Sequence, residues 1–206
     1  AASDVYKRQV LGGWTIDLAR QEGETLEDDL NRRDYRLNAM ALSFDGTPRL
    51  LDPTGGLDDL QQGTVVAIKE ANLQDDPLRL LRGLRLIAEL DMHLDAQTLK
   101  MLQRNRSLLP HAAPERIQAE LVRLVAAPAA DRAIATILEL KLLAPWMKQG
   151  ATASDQRLIG AAKTSELLPD SERRQALPLA RLTPLLPPSG APPLTGAPPL
   201  LLPSVL

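Results

Sequence analysis

The sequence predicts an α+β fold, with a small strand-forming portion first and an all-helical portion after it. Three observations predict it. Every strand candidate lies before residue 69, and from Pro77 onward apolar residues recur at helical spacing almost without a break. Aromatic residues make up only 2% of a chain that is 44% hydrophobic, so the core must come mainly from Leu, Ala, Ile and Val. With aromatic and β-branched residues scarce, helices are favoured over strands.

Taken in order, residues 10–19 (VLGGWTIDLA) read as a strand entered through Gly12 and Gly13. Thr25 to Leu30 is an acidic helical turn, with Thr25 and Asp28 spaced as a capping pair. A helix is expected over about 34–42, a turn at Gly46-Thr47-Pro48, a short strand at 49–51, a turn at 53–56 and a last strand at 65–68. Helices are then expected at about 77–90, 95–106, 114–126, 130–140 and 154–168, with breaks at Pro110, Pro128 and Pro145. Residues 169–206 hold ten of the seventeen prolines and repeat Gly-Ala-Pro-Pro-Leu, which reads as a polyproline-like or unstructured extension.

At 206 residues the chain suffices for one substantial domain or two small ones. The absence of cysteine excludes disulfide partners and thiolate metal sites. No run approaches the roughly 18 apolar residues of a membrane span, so a cytoplasmic setting is the default expectation. A formal net charge of −2 means that a polyanionic partner would need a local basic patch. His93 and His111 have no third ligand nearby in sequence and read as surface or helix-end residues, while Trp146 reads as packing a helix terminus.

Such a patch is present in Asp75-Asp76-Pro77-Leu78-Arg79-Leu80-Leu81-Arg82-Gly83-Leu84-Arg85. Pro77 suits the first helical position, and an acidic residue before it can cap the helix. At about 100° per residue, Leu80, Leu81, Leu84, Ile87 and Ala88 share one face. Arg79, Arg82 and Arg85 progress along the other, with Asp76 at its edge. Guanidinium groups so close repel one another unless an anion sits among them. Alone, the segment reads equally well as a solvated basic face. Two further clusters are weak singly: Arg32-Arg33-Asp34 ahead of Tyr35-Arg36-Leu37-Asn38-Ala39-Met40, and the turn Asp52-Pro53-Thr54-Gly55-Gly56-Leu57-Asp58-Asp59-Leu60.

The order and spacing of the three together are specific. Arg-Arg-Asp-x-x-x-Asn-Ala-Met, Asp-Pro-x-Gly-Gly-x-x-Asp-Leu and Asp-Asp-Pro-Leu-Arg-x-Leu-Arg-x-x-Arg closely resemble the class II tRNA nucleotidyltransferases, the CCA-adding enzyme and bacterial poly(A) polymerase family. Pro114-Glu115-Arg116-Ile117-x-x-Glu120-Leu121 resembles that family's helix-stabilising motif, and the resemblance covers roughly residues 11 to 147. It implies an α+β arrangement of a partial nucleotidyltransferase sheet followed by a helical neck and partial body. The implied divisions are a non-family or misjoined start at 1–9, a head portion at 10–72, a neck or RNA-binding region at 73–147, a partial body at 148–168 and the proline-rich tail.

The implied activity is addition of C and A to tRNA 3′ ends from CTP and ATP, with an Asp/Arg pair as a protein template. The hydrogen-bond inventory fits that role. Cytosine and adenine each pair an amino donor with a ring-nitrogen acceptor, whereas a carboxylate only accepts and a guanidinium only donates. Such a pair matches C and A and meets G and U with like against like, a mismatch that costs several kcal/mol when buried. Carried over by position, Asp76 and Arg79 are the base readers, and Arg82 and Arg85 stand on the triphosphate side. Arg33 contacts the nucleotide, Asp34 serves the ribose hydroxyls, and Arg32 and Asp75 are further candidates, Asp75 standing where the family usually has Glu.

Nucleotidyl transfer in the family uses Mg²⁺ held by an Asp-x-Asp pair after a Gly-rich turn. No Asp-x-Asp occurs in the sequence, and Gly12-Gly13 is followed by Trp14-Thr15-Ile16-Asp17 rather than Arg-Asp. The expectation is therefore a chain that starts mid-domain, without its metal carboxylates and inactive by itself. The rival readings are a poly(A) polymerase, an enzyme adding only CC or only A, a catalytically inactive nucleotide- or RNA-binding module, and a purely structural helical domain.

Overall fold

The computed structural model describes residues 7–44 and 46–146. The expectations for most of 1–9, for 148–168 and for 169–206 lie outside those residues. An antiparallel hairpin comes first, β1 (Lys7–Leu11) and β2 (Trp14–Leu18), joined through Gly12 and Gly13 at φ 55° and 83°. Two consecutive residues at positive φ make the two-residue turn that matches strand twist, which is why glycines stand there. The expected single strand is thus two strands folded on a glycine turn.

Helix α1 (Leu26–Asn31) starts with the capping box expected of Thr25 and Asp28: Asp28 N–H donates to the Thr25 hydroxyl, and Thr25 N–H to the Asp28 carboxylate. Residues 34–42 do not form the expected helix. They make a 3-10 turn at Arg36–Asn38 and a strand, β3 (Ala41–Ser43), paired with β4 (Arg49–Leu51). Their backbone is committed elsewhere, because Arg36 N–H donates to Val66 O and Ile68 N–H to Asp34 O, around a bridge between Tyr35 and Ala67. Those pairings take the groups that a helix would need.

The Asp-Pro-x-Gly-Gly segment is more than a turn. The Asp52 carboxylate accepts the N–H groups of Gly55, Gly56 and Leu57 and so starts α2 (Gly56–Gln62). Gly55 sits at φ 84°, and a methyl at Gly56 would overlap the Arg36 carbonyl. Asp59 is buried 3.7 Å from Arg36, and burial pushes its carboxyl up from the ordinary range. A two-residue strand, β5 (Thr64–Val65), pairs parallel with β6 (His93–Leu94). The strand content is therefore three two-stranded ladders among the described residues.

The helices follow: α3 (Glu70–Asp75), α4 (Arg79–Leu90), α5 (Ala96–Asn105), α6 (Pro114–Ala126) and α7 (Ala130–Leu140). The last two have the expected bounds, α3 was not foreseen, and Pro77 lies in the turn before α4. Helix α4 is the axis of the packing. Leu80, Leu81, Gly83, Leu84, Arg85, Leu86, Ile87 and Ala88 are all buried, with α6 and α7 packed against it. The strand-forming portion is joined to it by Tyr35, fully buried, whose hydroxyl donates to Arg79 O at 2.8 Å. Burial pushes that phenol far above its usual range.

Gly83 lies directly under the Tyr35 ring, and a methyl there would overlap the hydroxyl and its ring carbon. Gly83→Ala gains about 1 kcal/mol of helix propensity but overpacks a buried aromatic at about 1–3 kcal/mol. Net destabilisation is expected, read as a lowered denaturant midpoint with unchanged slope. A second expectation concerns acid. Burial acts to raise the Asp52 pKa, but the N–H groups of Leu57, Gly56, Gly55 and Thr54 outweigh it and hold the carboxyl below its ordinary value. Its contribution is therefore present above the ordinary carboxylate pKa and lost as pH falls through the lower folded one. Asp52→Ala should destabilise at pH 7 by on the order of 2–3 kcal/mol and flatten the acid limb of unfolding midpoint against pH.

Candidate nucleotide site

The Arg-Arg-Asp segment is clamped by its backbone. Asn72, buried on α3, donates through Nδ2 to Asn31 O and Arg33 O at 2.9 and 2.7 Å. Arg79, opening α4, donates through Nη1 to Arg32 O at 2.9 Å and to Asn72 O at 2.8 Å. Three successive carbonyls, 31 to 33, are thus held by two side chains that no local pattern singles out as a pair. Both hydrogens of Arg79 Nη1 are used, while Nε and Nη2 have no protein partner among the described residues. A guanidinium is planar, so fixing one nitrogen to two carbonyls fixes the direction of its remaining donors.

The clamp sets Arg32, Arg33 and Arg79 around a cleft of about 430 Å³, lined also by Ala19, Arg20, Glu22 and Asp29. Four guanidinium groups against two carboxylates give an excess of positive charge, suited to a phosphorylated ligand. Arg33 is half exposed, with Nε and Nη2 on the Asp29 carboxylate and Nη1 on Asn38 O. Arg32 is more exposed, 3.4 Å from Glu22. Arg20 and Asn72 belong to the arrangement and were missed by sequence reasoning: Arg20 follows a strand with no motif around it, and Asn72 acts through carbonyls distant in sequence.

The remaining candidates are distributed differently from the expectation. Asp34 is 3% exposed and turned inward. Its Oδ1 accepts Tyr35 N–H and Asn38 Nδ2–H, and its Oδ2 lies 2.9 Å from Arg82 Nε in an ion pair bent away from hydrogen-bond linearity. A carboxylate so committed holds the segment onto α4 and has no free edge for ribose. Arg85 is also buried, with Nε 2.7 Å from Glu120 and Nη1 on both oxygens of Glu89. It does not line the cleft, and two carboxylates already neutralise it, so the triphosphate contact expected of it has no support in the geometry. Helix α6 covers only the Arg85 end of the basic face that projection gives to α4. Arg82 is about one-third exposed, and Asp75 is exposed at the end of α3.

Asp76 follows α3 in extended backbone. Its Oδ1 accepts Leu78 N–H at 3.1 Å, and its Oδ2 is 2.7 Å from Arg116 Nη2 on α6. It is not among the residues lining the arginine cleft; Arg79 N–H donates to Asp76 O at 2.9 Å across the turn, while the two side chains are each held by other partners. His93 and His111 are exposed, and Trp146 is buried in a 3-10 turn after α7. No group of three or more His, Cys, Asp or Glu side chains among the described residues could hold a metal ion. Glu89 is occupied by Arg85 and Arg123, and Asp91 by Arg132. No helix among the described residues is long and apolar enough to cross a membrane.

Comparison with known proteins gives this geometry its setting. Residues 11–66 match the family model "Poly A polymerase head domain", and residues 91–153 match "Probable RNA and SrmB-binding site of polymerase A". Together the two matches span more than half of the chain. A CC-adding tRNA nucleotidyltransferase of Synechocystis is 38% identical over 147 residues, covering 71% of this chain and 35% of that protein. A CCA-adding enzyme of Listeria monocytogenes is 35% identical over 120 residues, 57% of this chain and 30% of the relative. The chain thus spans about a third of the length of these curated relatives. Among solved structures, a tRNA-processing enzyme complex superposes with a TM-score of 0.75 at 25% identity, over 86% of this chain and 52% of that one. The Bacillus stearothermophilus CCA-adding enzyme in complex with CTP gives 0.69 at 28% identity, over 82% and 44%. With the head and RNA-binding matches in the order of its motifs and the same α+β fold, the chain belongs to the tRNA nucleotidyltransferase and poly(A) polymerase family.

Proposed function

We propose that this protein selects CTP and ATP for addition to tRNA 3′ ends. Asp76 and Arg79 read the base, and the cleft formed by Arg20, Arg32, Arg33 and Arg79 receives the phosphates. The observation that carries the reading is the Arg79 clamp: one guanidinium nitrogen is fixed on two carbonyls while the other two nitrogens keep their donors for a ligand. Preorganised donors of this kind lose little freedom on binding. Arg82 supports the site by holding Asp34, and Arg85 by joining α4 to α6. In this reading 10–72 is head and 73–147 is neck, in keeping with matches at 11–66 and 91–153. Family members use a divalent metal, here taken to be Mg²⁺, and the protein would work in the cytoplasm.

The names of the relatives support both CC addition and CCA addition: proteins called CC-adding are 38–40% identical and those called CCA-adding are 32–37% identical. A second reading is a nucleotide- and RNA-binding module without transfer activity, which the arginine-lined cleft and the RNA-binding match at 91–153 support equally.

Equilibrium titration with CTP, ATP, GTP and UTP tests the base-reading pair. CTP and ATP should bind more tightly than UTP and GTP, and Asp76→Ala and Arg79→Ala should each remove the preference, a loss of roughly tenfold to a hundredfold. Equal binding of all four nucleotides would contradict the reading. Incorporation into tRNA lacking its 3′ end, with Mg²⁺ present, then separates the enzyme from the binding module.

A further inference from the structure

The geometry points to Arg116 as a positioning residue that aims the Asp76 carboxylate at the base, tying nucleotide choice to a helix of the RNA-binding portion. The inference rests on Asp76 being a base reader and goes beyond the helix-stabilising role that the motif around Arg116 implies.

Helix α6 presents Arg116, Glu120 and Arg123 at i, i+4 and i+7, one face of a helix. Each meets its opposite charge: Arg116 lies 2.7 Å from Asp76, Glu120 lies 2.7 Å from Arg85, and Arg123 lies 3.6 Å from Glu89. The signs run plus, minus, plus on α6 and minus, plus, minus on the α3–α4 limb. A shift of one rung would set like charge against like, so the ladder fixes how α6 sits along α4.

The three rungs differ in what they can do. The middle one is shielded, with side chains 10% and 14% exposed, and is the rung that joins the helices. The Arg123 rung is long and largely exposed, a kind of pair that contributes little. The Arg116 side chain is 53% exposed and so adds little cohesion, but its partner has two separately held oxygens. Oδ1 takes Leu78 N–H and Oδ2 takes Arg116, and these two bonds together set both torsions of a short side chain on non-helical backbone. A carboxylate offers about four lone-pair sites, so sites remain for the amino group of a base. Without Arg116 the carboxylate keeps its charge and one bond but loses its fixed direction. Selectivity is then the quantity that suffers, because a freely turning acceptor discriminates poorly between a base that offers a donor and one that does not.

The test is titration of the full chain with CTP, ATP, UTP and GTP for wild type, Arg116→Ala, Arg116→Gln and the control Arg123→Ala, with a thermal melt of each. Arg116→Ala should lower the CTP-over-UTP preference about tenfold, mainly by weakening CTP. Arg116→Gln should lower it similarly, and Arg123→Ala should leave it unchanged. A merely structural role predicts a different pattern, with all four nucleotides weakened in proportion and the ratio preserved; that result, or no change at all, overturns the inference. If Arg116→Ala does not fold, an unchanged ratio in Arg116→Gln overturns it equally. A wild-type protein with no preference for CTP and ATP would instead remove the base-reading role of Asp76 on which the inference stands.

Discussion

The crossing of Tyr35 over Gly83 is the contact on which the rest of the arrangement depends. A buried ring can lie on a helix this closely only where the helix has no side chain, and its hydroxyl then finds the Arg79 carbonyl at the start of the same helix. Once that contact forms, the neighbouring residues have few choices. Asp34, next to Tyr35, is carried to Arg82, one position before Gly83, and the carbonyls of 31–33 are carried to Asn72 and Arg79. An aromatic anchor, a half-buried ion pair and a carbonyl clamp thus fix one short loop on α4 and the neighbouring α3. Asp34 is buried while Arg82 is about one-third exposed, so the pair is partly screened and acts together with the aromatic contact and the carbonyl clamp.

This arrangement gives the charged motifs a division of labour. Some charges face inward to hold elements together, and others line the cleft. Asp34, Arg82 and Arg85 hold; Arg32, Arg33 and Arg79 line the cleft. Asp52 belongs to the first group, spending its charge on three backbone N–H groups to start α2. Family motifs of this kind read as catalytic signatures, yet much of their constraint is mechanical. Arg and Asp recur in them because bidentate, charge-assisted bonds define direction as well as distance.

The helical half was legible in the sequence because its periodicity is long and its punctuation clear. Pro114 and the apolar spacing give the bounds of α6 directly, and the Thr25–Asp28 box announces α1. The segment 34–42 was misread because its pairing partner, 66–68, is remote and takes the backbone groups that a local helix would use. The site was legible in part. Motif order identified the family and three of the residues lining the cleft, Arg32, Arg33 and Arg79, but one-dimensional projection could not show that α6 covers the Arg85 side of α4. Nor could it show that Arg116 reaches Asp76 across 40 positions, or that Asn72 works through carbonyls. Those facts depend on which helices pack together, which periodicity does not encode.

The Arg-Arg-Asp loop and the start of α4 form one mechanically coupled unit, and in the proposed function that unit receives the nucleotide. Amide hydrogen exchange along the chain, with and without saturating CTP, reads that coupling segment by segment. Residues 31–38 and 72–82 should slow together on CTP addition while the distant end of α7 is unchanged. Protection of only one of the two segments, or protection confined to other parts of the chain, would contradict it.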